Sequence, residues 1–65
     1  MSLQYIRDYY GVPAEEGERI TYEAHDGPRT GTISRATGPH LLVRFDGEDF
    51  DSVLHPQWHV TYEGA

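Results

Sequence analysis

The stretch "HLLVRFDGEDFDSVLH", residues 40–55, decides the fold class of this chain. In its first half, Leu41, Val43 and Phe45 occupy every second position and share one face, whereas the positions between them hold one apolar and one charged residue. This alternation is typical of a half-buried strand. The "DG" dipeptide that follows can adopt the positive backbone angles of a tight hairpin. The sequence therefore predicts that residues 50–55 return antiparallel beside the first strand.

Three further strand signals lie outside this hairpin. Residues 18–24 alternate around Ile20 and Tyr22, and the turn signal "HDGPRT" leads into "GTISRA", where Ile33 is the inward anchor. The last alternating segment, "HVTYE" at residues 59–63, predicts the final strand. The chain is therefore predicted to form five short antiparallel strands.

The N-terminal segment predicts one short helix. Ser2 is a suitable N-cap, Leu3, Ile6 and Tyr10 follow at helical spacing, and Gly11 can end the helix in a left-handed conformation. We therefore expect one or two helical turns before the first strand.

Five short strands with two glycine-centred hairpins favour a small, bent antiparallel barrel, because closure removes exposed sheet edges. Only "HPQW" separates the last two strands, and Pro56 fits a single 3₁₀ turn there. The prediction is a single all-β domain, with residues 1–17 as an N-terminal arm or short helix and residues 18–65 as the barrel.

Over residues 18–63 this order of strands, with a 3₁₀ turn before a short fifth strand, resembles the SH3-like barrel of SH3, Tudor and KOW domains. The segments "GTI" and "LVRFDGE" are similar to Tudor and KOW patterns. The segments "YIRDYYGVPA" and "LHPQWHVTY" also resemble small proteins of unknown activity from actinobacteria and their phages. The barrel resemblance implies a binding module.

Composition narrows the classes of function. The 65 residues carry eleven carboxylates against five arginines, a formal charge of −6 that repels phosphate backbones. The absence of cysteine excludes disulfides and thiolate zinc sites. No apolar run has transmembrane length and the first ten residues are too polar for a signal peptide, so we expect a soluble cytoplasmic protein.

His55 and His59 form an H-x-x-x-H pair that would bind zinc if both side chains left one face of a helix. Pro56 and the strand that follows prevent such a helix, and a third ligand would have to come from His25, His40 or a carboxylate. We therefore predict no metal or other cofactor. One imidazole is expected to bond a backbone group of the turn, and the other to lie on the surface.

Catalysis is not expected. The chain has no cysteine or lysine nucleophile, and Ser2, Ser34 and Ser52 stand in no nucleophile motif. A barrel of this size also lacks a large concave pocket. The sequence therefore predicts a protein that is not an enzyme.

Aromatic side chains indicate a surface for a protein partner. Tyr5, Tyr9 and Tyr10 cannot all face the core from one short helix, so at least one is exposed. Trp58 is expected to pack over the barrel end, although the resemblance to SH3-like barrels implies that this region borders a ligand groove. Exposed aromatic rings are good interface anchors. The predicted contact residues are Tyr9, Tyr10, Phe50, Trp58 and Tyr62.

Two alternatives remain open. In the first, Arg29, Arg35 and Arg44 share one sheet face and touch the phosphates of a nucleic acid, in the manner of KOW domains. In the second, the acidic surface, with clusters at residues 15–18 and 48–51, imitates nucleic acid and occupies a basic site on an enzyme. The chain is expected to be a monomer or a homodimer, paired through the arm or an exposed strand edge.

Overall fold

The computed structural model describes residues 2–63 as one short helix followed by one five-stranded antiparallel sheet. Met1, Gly64 and Ala65, at the ends of the predicted arm and barrel, lie outside the described residues. The elements are α1 (Leu3–Tyr10), β1 (Arg19–Ala24), β2 (Gly27–Thr37), β3 (His40–Phe45), β4 (Asp51–Leu54) and β5 (Val60–Tyr62). The predicted mainly-β class with a short N-terminal helix is confirmed.

The strand order is β4-β3-β2-β1-β5, and every neighbouring pair is antiparallel. This order leaves β4 and β5 as outer strands with no pairing between them in the described part of the chain. Closure into a barrel is therefore not confirmed.

Helix α1 begins and ends at the predicted residues. The Ser2 hydroxyl accepts a hydrogen bond from the Tyr5 N–H at 3.2 Å, which satisfies one of the free donors of the first turn. Gly11 ends the helix with φ of 67°, and its N–H donates to the Arg7 carbonyl at 2.9 Å. Ile6 is fully buried, so the arm packs against the sheet through this side chain.

Strand β2 is longer than the sequence predicts. The expected turn "HDGPRT" shortens to His25 and Asp26, and β2 runs for eleven residues from Gly27. Its first half pairs with β1 and its second half with β3, with a register shift between Ile33 and Arg35. The strand thereby belongs to both halves of the sheet, and the shift marks a bulge, a feature that bends a strand.

The alternation along β3 is confirmed, because Leu41, Val43 and Phe45 are buried. The antiparallel return of β4 is also confirmed, but the tight hairpin is not. Gly47 has φ of 88° whereas Asp46 is not in the left-handed region, and β4 begins only at Asp51. The connection from β3 to β4 is therefore five residues long.

The core is shared by the helix, the segment after it and the inner strands. Its buried side chains are Ile6, Ala14, Ile20, Ile33, Leu41, Val43 and Phe45. Gly31 lies among them because β2 and β3 approach closely there. A Cβ at Gly31 would stand 2.8 Å from both the Arg44 carbonyl oxygen and the Val43 Cγ1.

The turn before β5 is a single hydrogen-bonded turn over residues 55–58. The Trp58 N–H donates to the His55 carbonyl at 3.4 Å, which is the i to i+3 pattern of 3₁₀ geometry. The described residues after Trp58 do not continue this pattern of hydrogen bonds. Pro56 is the buried residue of this turn. Within residues 2–63, no helix is long and apolar enough to cross a membrane.

Candidate functional site

The end of α1 is fastened to the turn before β5. The Gln57 side-chain amide donates to the Tyr10 carbonyl at 3.0 Å. The Tyr10 and His55 rings meet edge to face with their centroids 5.3 Å apart. We call Tyr9, Tyr10 and residues 55–58 the helix-turn junction. Its two halves are 47 residues apart in the chain between Tyr10 and Gln57, so the junction joins distant parts of the chain.

Five aromatic rings continue from α1 through the junction. Tyr5 stacks on Tyr9 at 5.6 Å, and Tyr9 meets Tyr10 edge to face at 4.9 Å. Beyond Tyr10, the His55 ring contacts the His40 ring at 6.0 Å. Offset and edge-to-face contacts of this kind favour fixed ring orientations. The rings are therefore oriented before any partner arrives.

The outer part of this row is open to solvent. The exposed fraction is 68% for Tyr9 and 39% for Tyr5, whereas Tyr10 is half-buried. The prediction that at least one tyrosine of α1 is exposed is confirmed. Tyr5 and Tyr9 share one face because they are four residues apart on the helix.

Trp58 is the most exposed aromatic side chain of the junction, with an exposed fraction of 69%. Its ring lies 5.2 Å from the ring of His59, its neighbour in the chain. The expectation that Trp58 packs over the end of the sheet is wrong, because Pro56 occupies the buried position of this turn. The turn therefore directs the tryptophan outward.

The histidine pair has the expected structural role. The His55 Nδ1 accepts a hydrogen bond from the Gln57 N–H at 3.1 Å, and His59 is exposed. His59 has φ of 59°, and its carbonyl accepts the Glu23 N–H at 2.9 Å. Among residues 2–63, no three histidine or carboxylate side chains are grouped to hold a metal ion.

Of the other two predicted contact residues, Tyr62 lies under the turn and Phe50 lies away from it. Tyr62 is half-buried beneath the turn, where its hydroxyl donates to the Pro56 carbonyl at 2.7 Å and burial raises the pKa of Tyr62 to about 12. Phe50 is 55% exposed, but it precedes β4 whereas the turn follows it. A four-residue strand is about 13 Å long, so Phe50 stands apart from the junction.

Arg29, Arg35 and Arg44 do not share one sheet face. Arg29 lies on the core-facing side of β2, where its guanidinium stands 4.7 Å above the Phe45 ring centroid and 2.5 Å from the Glu48 carboxylate. Side chains two apart on a strand share a face, and the buried Gly31 is two residues further on. The expectation of one face is therefore wrong for Arg29.

The other two arginines lie on the opposite face of the sheet. Arg44 pairs with Asp51 at 2.9 Å, and both belong to the outward row of β3 and β4. Arg35 stands opposite Leu42, also on the outward face, and forms no ion pair within residues 2–63. A phosphate would therefore have to compete with a carboxylate for two of the three predicted arginines.

A third ion pair joins β1 to the connection after β3. The Arg19 guanidinium donates two parallel hydrogen bonds to the Asp46 carboxylate, at 2.8 and 2.6 Å. These bonds lower the pKa of Asp46 and raise the pKa of Arg19 from their ordinary values. Arg19, Arg29 and Arg44 are therefore each paired with a carboxylate of opposite charge.

Comparison with protein-family models, with curated proteins and with solved structures gives no match for this chain. The described part of the chain also contains no detected cavity. The arrangement that remains is a solvent-exposed group of aromatic rings, held by a hydrogen bond and ring contacts around the helix-turn junction.

Proposed function

We propose that this protein is a non-enzymatic interaction module of the SH3-like barrel type that binds a protein partner in the cytoplasm through the helix-turn junction. The observation that carries the proposal is the exposure of Tyr9 and Trp58 on two segments joined by the bond between Gln57 and Tyr10. The strand order and the long, bulged β2 support the SH3-like part of the proposal.

Exposed aromatic rings favour a protein partner for an energetic reason. Tyrosine and tryptophan supply large contact areas and lose few rotatable bonds on binding, so they dominate the binding energy of many interfaces. Single exposed apolar side chains are ordinary, but Tyr5, Tyr9 and Tyr10 contact one another in series. A partner that covers this row would meet a preformed surface.

The alternatives receive less support. Arg29 and Arg44 are paired with carboxylates, which lowers the positive charge available to a nucleic acid. The same pairs involve Glu48 and Asp51, so the acidic cluster at residues 48–51 is partly neutralised and makes a weaker imitation of a phosphate chain.

Site-specific photo-crosslinking in the cells that make this protein tests the proposal. A photoreactive amino acid is placed at Tyr9, at Trp58 and, as a control, at Asp49, which is exposed in the connection before β4. We expect the first two positions to capture the same protein and Asp49 to capture none of it. Equal capture at all three positions, or none at Tyr9 and Trp58, would overturn the proposed function.

A further inference from the structure

The arm that carries the exposed tyrosines is acidic. Residues 2–17 hold one arginine, Arg7, against three carboxylates. The Arg7 guanidinium turns back to the Ala14 carbonyl at 2.8 Å, so it helps to fold the arm. Asp8, by contrast, is exposed and follows Tyr5 by three residues, which places it beside that ring on the outward side of α1.

Negative charge also lies next to the other half of the junction. Glu23 is exposed on β1, and its backbone N–H donates to the carbonyl of His59, the residue after Trp58. Within residues 2–63, neither Asp8 nor Glu23 forms an ion pair. The stacked rings of Tyr5 and Tyr9 therefore have one exposed carboxylate, that of Asp8, on the same side of α1, and Trp58 is followed by the residue that β1 bonds at Glu23.

Aromatic rings and carboxylates attract the same kind of group. The face of a tyrosine or tryptophan ring is electron-rich and binds a cation within about 6 Å of its centroid. Residues 2–63 already contain such a contact, where the Arg29 guanidinium lies 4.7 Å from the Phe45 centroid and also meets Glu48. In this protein, an aromatic ring with a carboxylate beside it therefore already binds one of the chain's own cationic side chains.

We propose that the helix-turn junction binds a lysine- or arginine-rich segment of its protein partner, with cationic side chains over Tyr9 and Trp58 and against Asp8 and Glu23. This inference rests on the proposed function and adds the chemical class of the partner. The net charge of −6 favours approach of such a segment from a distance. The three carboxylates that form ion pairs on the sheet, Asp46, Glu48 and Asp51, attract such a segment less than Asp8 and Glu23 do.

A titration followed by ¹H–¹⁵N NMR tests the charge of the ligand. The probe is a ten-residue peptide of alternating lysine and serine, which when extended reaches about 33 Å and exceeds the 30 Å longest dimension of the protein. Alternating glutamate-serine and glutamine-serine peptides are the controls. We expect the basic peptide to shift the Tyr9 amide and the Trp58 indole N–H, with binding that weakens as salt is added, and the controls to shift neither.

Two matched substitutions test the role of the rings. Tyr9→Leu keeps an apolar side chain and removes the aromatic face, so the dissociation constant for the basic peptide should rise about two- to fivefold. Phe50→Leu makes a similar change at a similarly exposed ring beyond the other end of β4 and should leave binding unchanged. Asp8→Asn should weaken binding in the same direction as Tyr9→Leu.

The outcomes separate this inference from the proposed function. No shift with the basic peptide at low salt, or shifts spread evenly over carboxylates far from the junction, would overturn the basic-partner inference. Equal binding of the glutamine-serine peptide would also overturn it. The proposed function fails only when crosslinking does not single out Tyr9 and Trp58. Capture of an acidic segment at those positions would leave a protein-binding module whose partner has the opposite charge.

Discussion

The Tyr62 hydroxyl donates a hydrogen bond to the backbone carbonyl of Pro56, with 2.7 Å between the two oxygens. Tyr62 belongs to β5 and Pro56 to the turn before it, so this bond holds the turn against the strand that follows. The other side of the same turn is held by Gln57, whose side chain donates to Tyr10. The junction is thus fixed from both the helix and the sheet.

Tyr62→Phe should lower the free energy of unfolding by about 1 kcal/mol, because the carbonyl of the buried Pro56 loses its donor while the ring remains. Urea unfolding followed by the fluorescence of Trp58, the single tryptophan of the chain, measures this loss. Tyr9→Phe removes an exposed hydroxyl and should change stability by less than about 0.5 kcal/mol. Equal midpoints for the two variants would contradict a stabilising role for this bond.

Alkaline pH should destabilise the protein through the same residue. Burial raises the pKa of Tyr62 to about 12 in the folded state, whereas an unfolded tyrosine titrates near pH 10. Between these values the folded chain keeps a proton that the unfolded chain has released, so stability falls as pH rises. Because the ring is only half-buried, we expect a loss of no more than about 1 kcal/mol.

Urea unfolding of the wild type and of Tyr62→Phe at about pH 9 and about pH 11 isolates this contribution. The wild type should lose more stability than the variant over that interval, because every other titrating group is common to both. Parallel losses would show that the Tyr62 proton is released equally easily in both states.

Gly31→Ala should lower the free energy of unfolding by about 1 to 3 kcal/mol, because the added methyl group meets the Arg44 carbonyl at 2.8 Å. Adding Val43→Ala removes the second clash but not the first, so the double variant should not recover. Chemical denaturation measures both. A Gly31→Ala protein with the wild-type midpoint would mean that β2 and β3 can separate at no cost.

Ile6→Ala should cost about 2 to 5 kcal/mol, since Ile6 is fully buried where α1 meets the sheet. Tyr9→Ala, on the exposed side of the same helix, is the matched control and should cost much less. Amide hydrogen exchange locates the effect. Faster exchange in both α1 and β3 would show that the helix and the sheet unfold as one cooperative unit. Faster exchange in α1 alone would show that the helix unfolds independently of the sheet.

Local signals in the sequence predicted most of the fold. Ser2 and Gly11 bound the helix because capping depends on residues within one turn. Leu41, Val43 and Phe45 fixed β3, since alternation reports directly on a two-sided strand. The length of β2 could not be predicted in this way. Proline is usually a turn signal. Near the start of β2, however, Pro28 pairs only with Glu23 of β1 and has no partner on β3, and a proline is tolerated at such a position.

The site was harder to predict because it joins distant parts of the chain. Exposure of Trp58 follows from burial of Pro56, and the sequence contains no signal of which of the two turns inward. His40 joins the aromatic row only because β3 begins beside the end of β4, a consequence of sheet register. The tyrosine spacing of α1 did predict exposed rings, because helical periodicity sets which side chains share a face.

The pairing of β1 with β5 has a consequence for the order of folding. Three of the four strand pairings join neighbours in the chain, but β5 pairs with β1 so that Ile20 stands opposite Tyr62. Hairpins between neighbours close small loops on a microsecond timescale, whereas a contact of high sequence separation must wait for the intervening chain to become compact. We expect β1 to β4 to assemble first and the β1-β5 ladder to form late. Substitutions in β5 should then accelerate unfolding while leaving the refolding rate nearly constant.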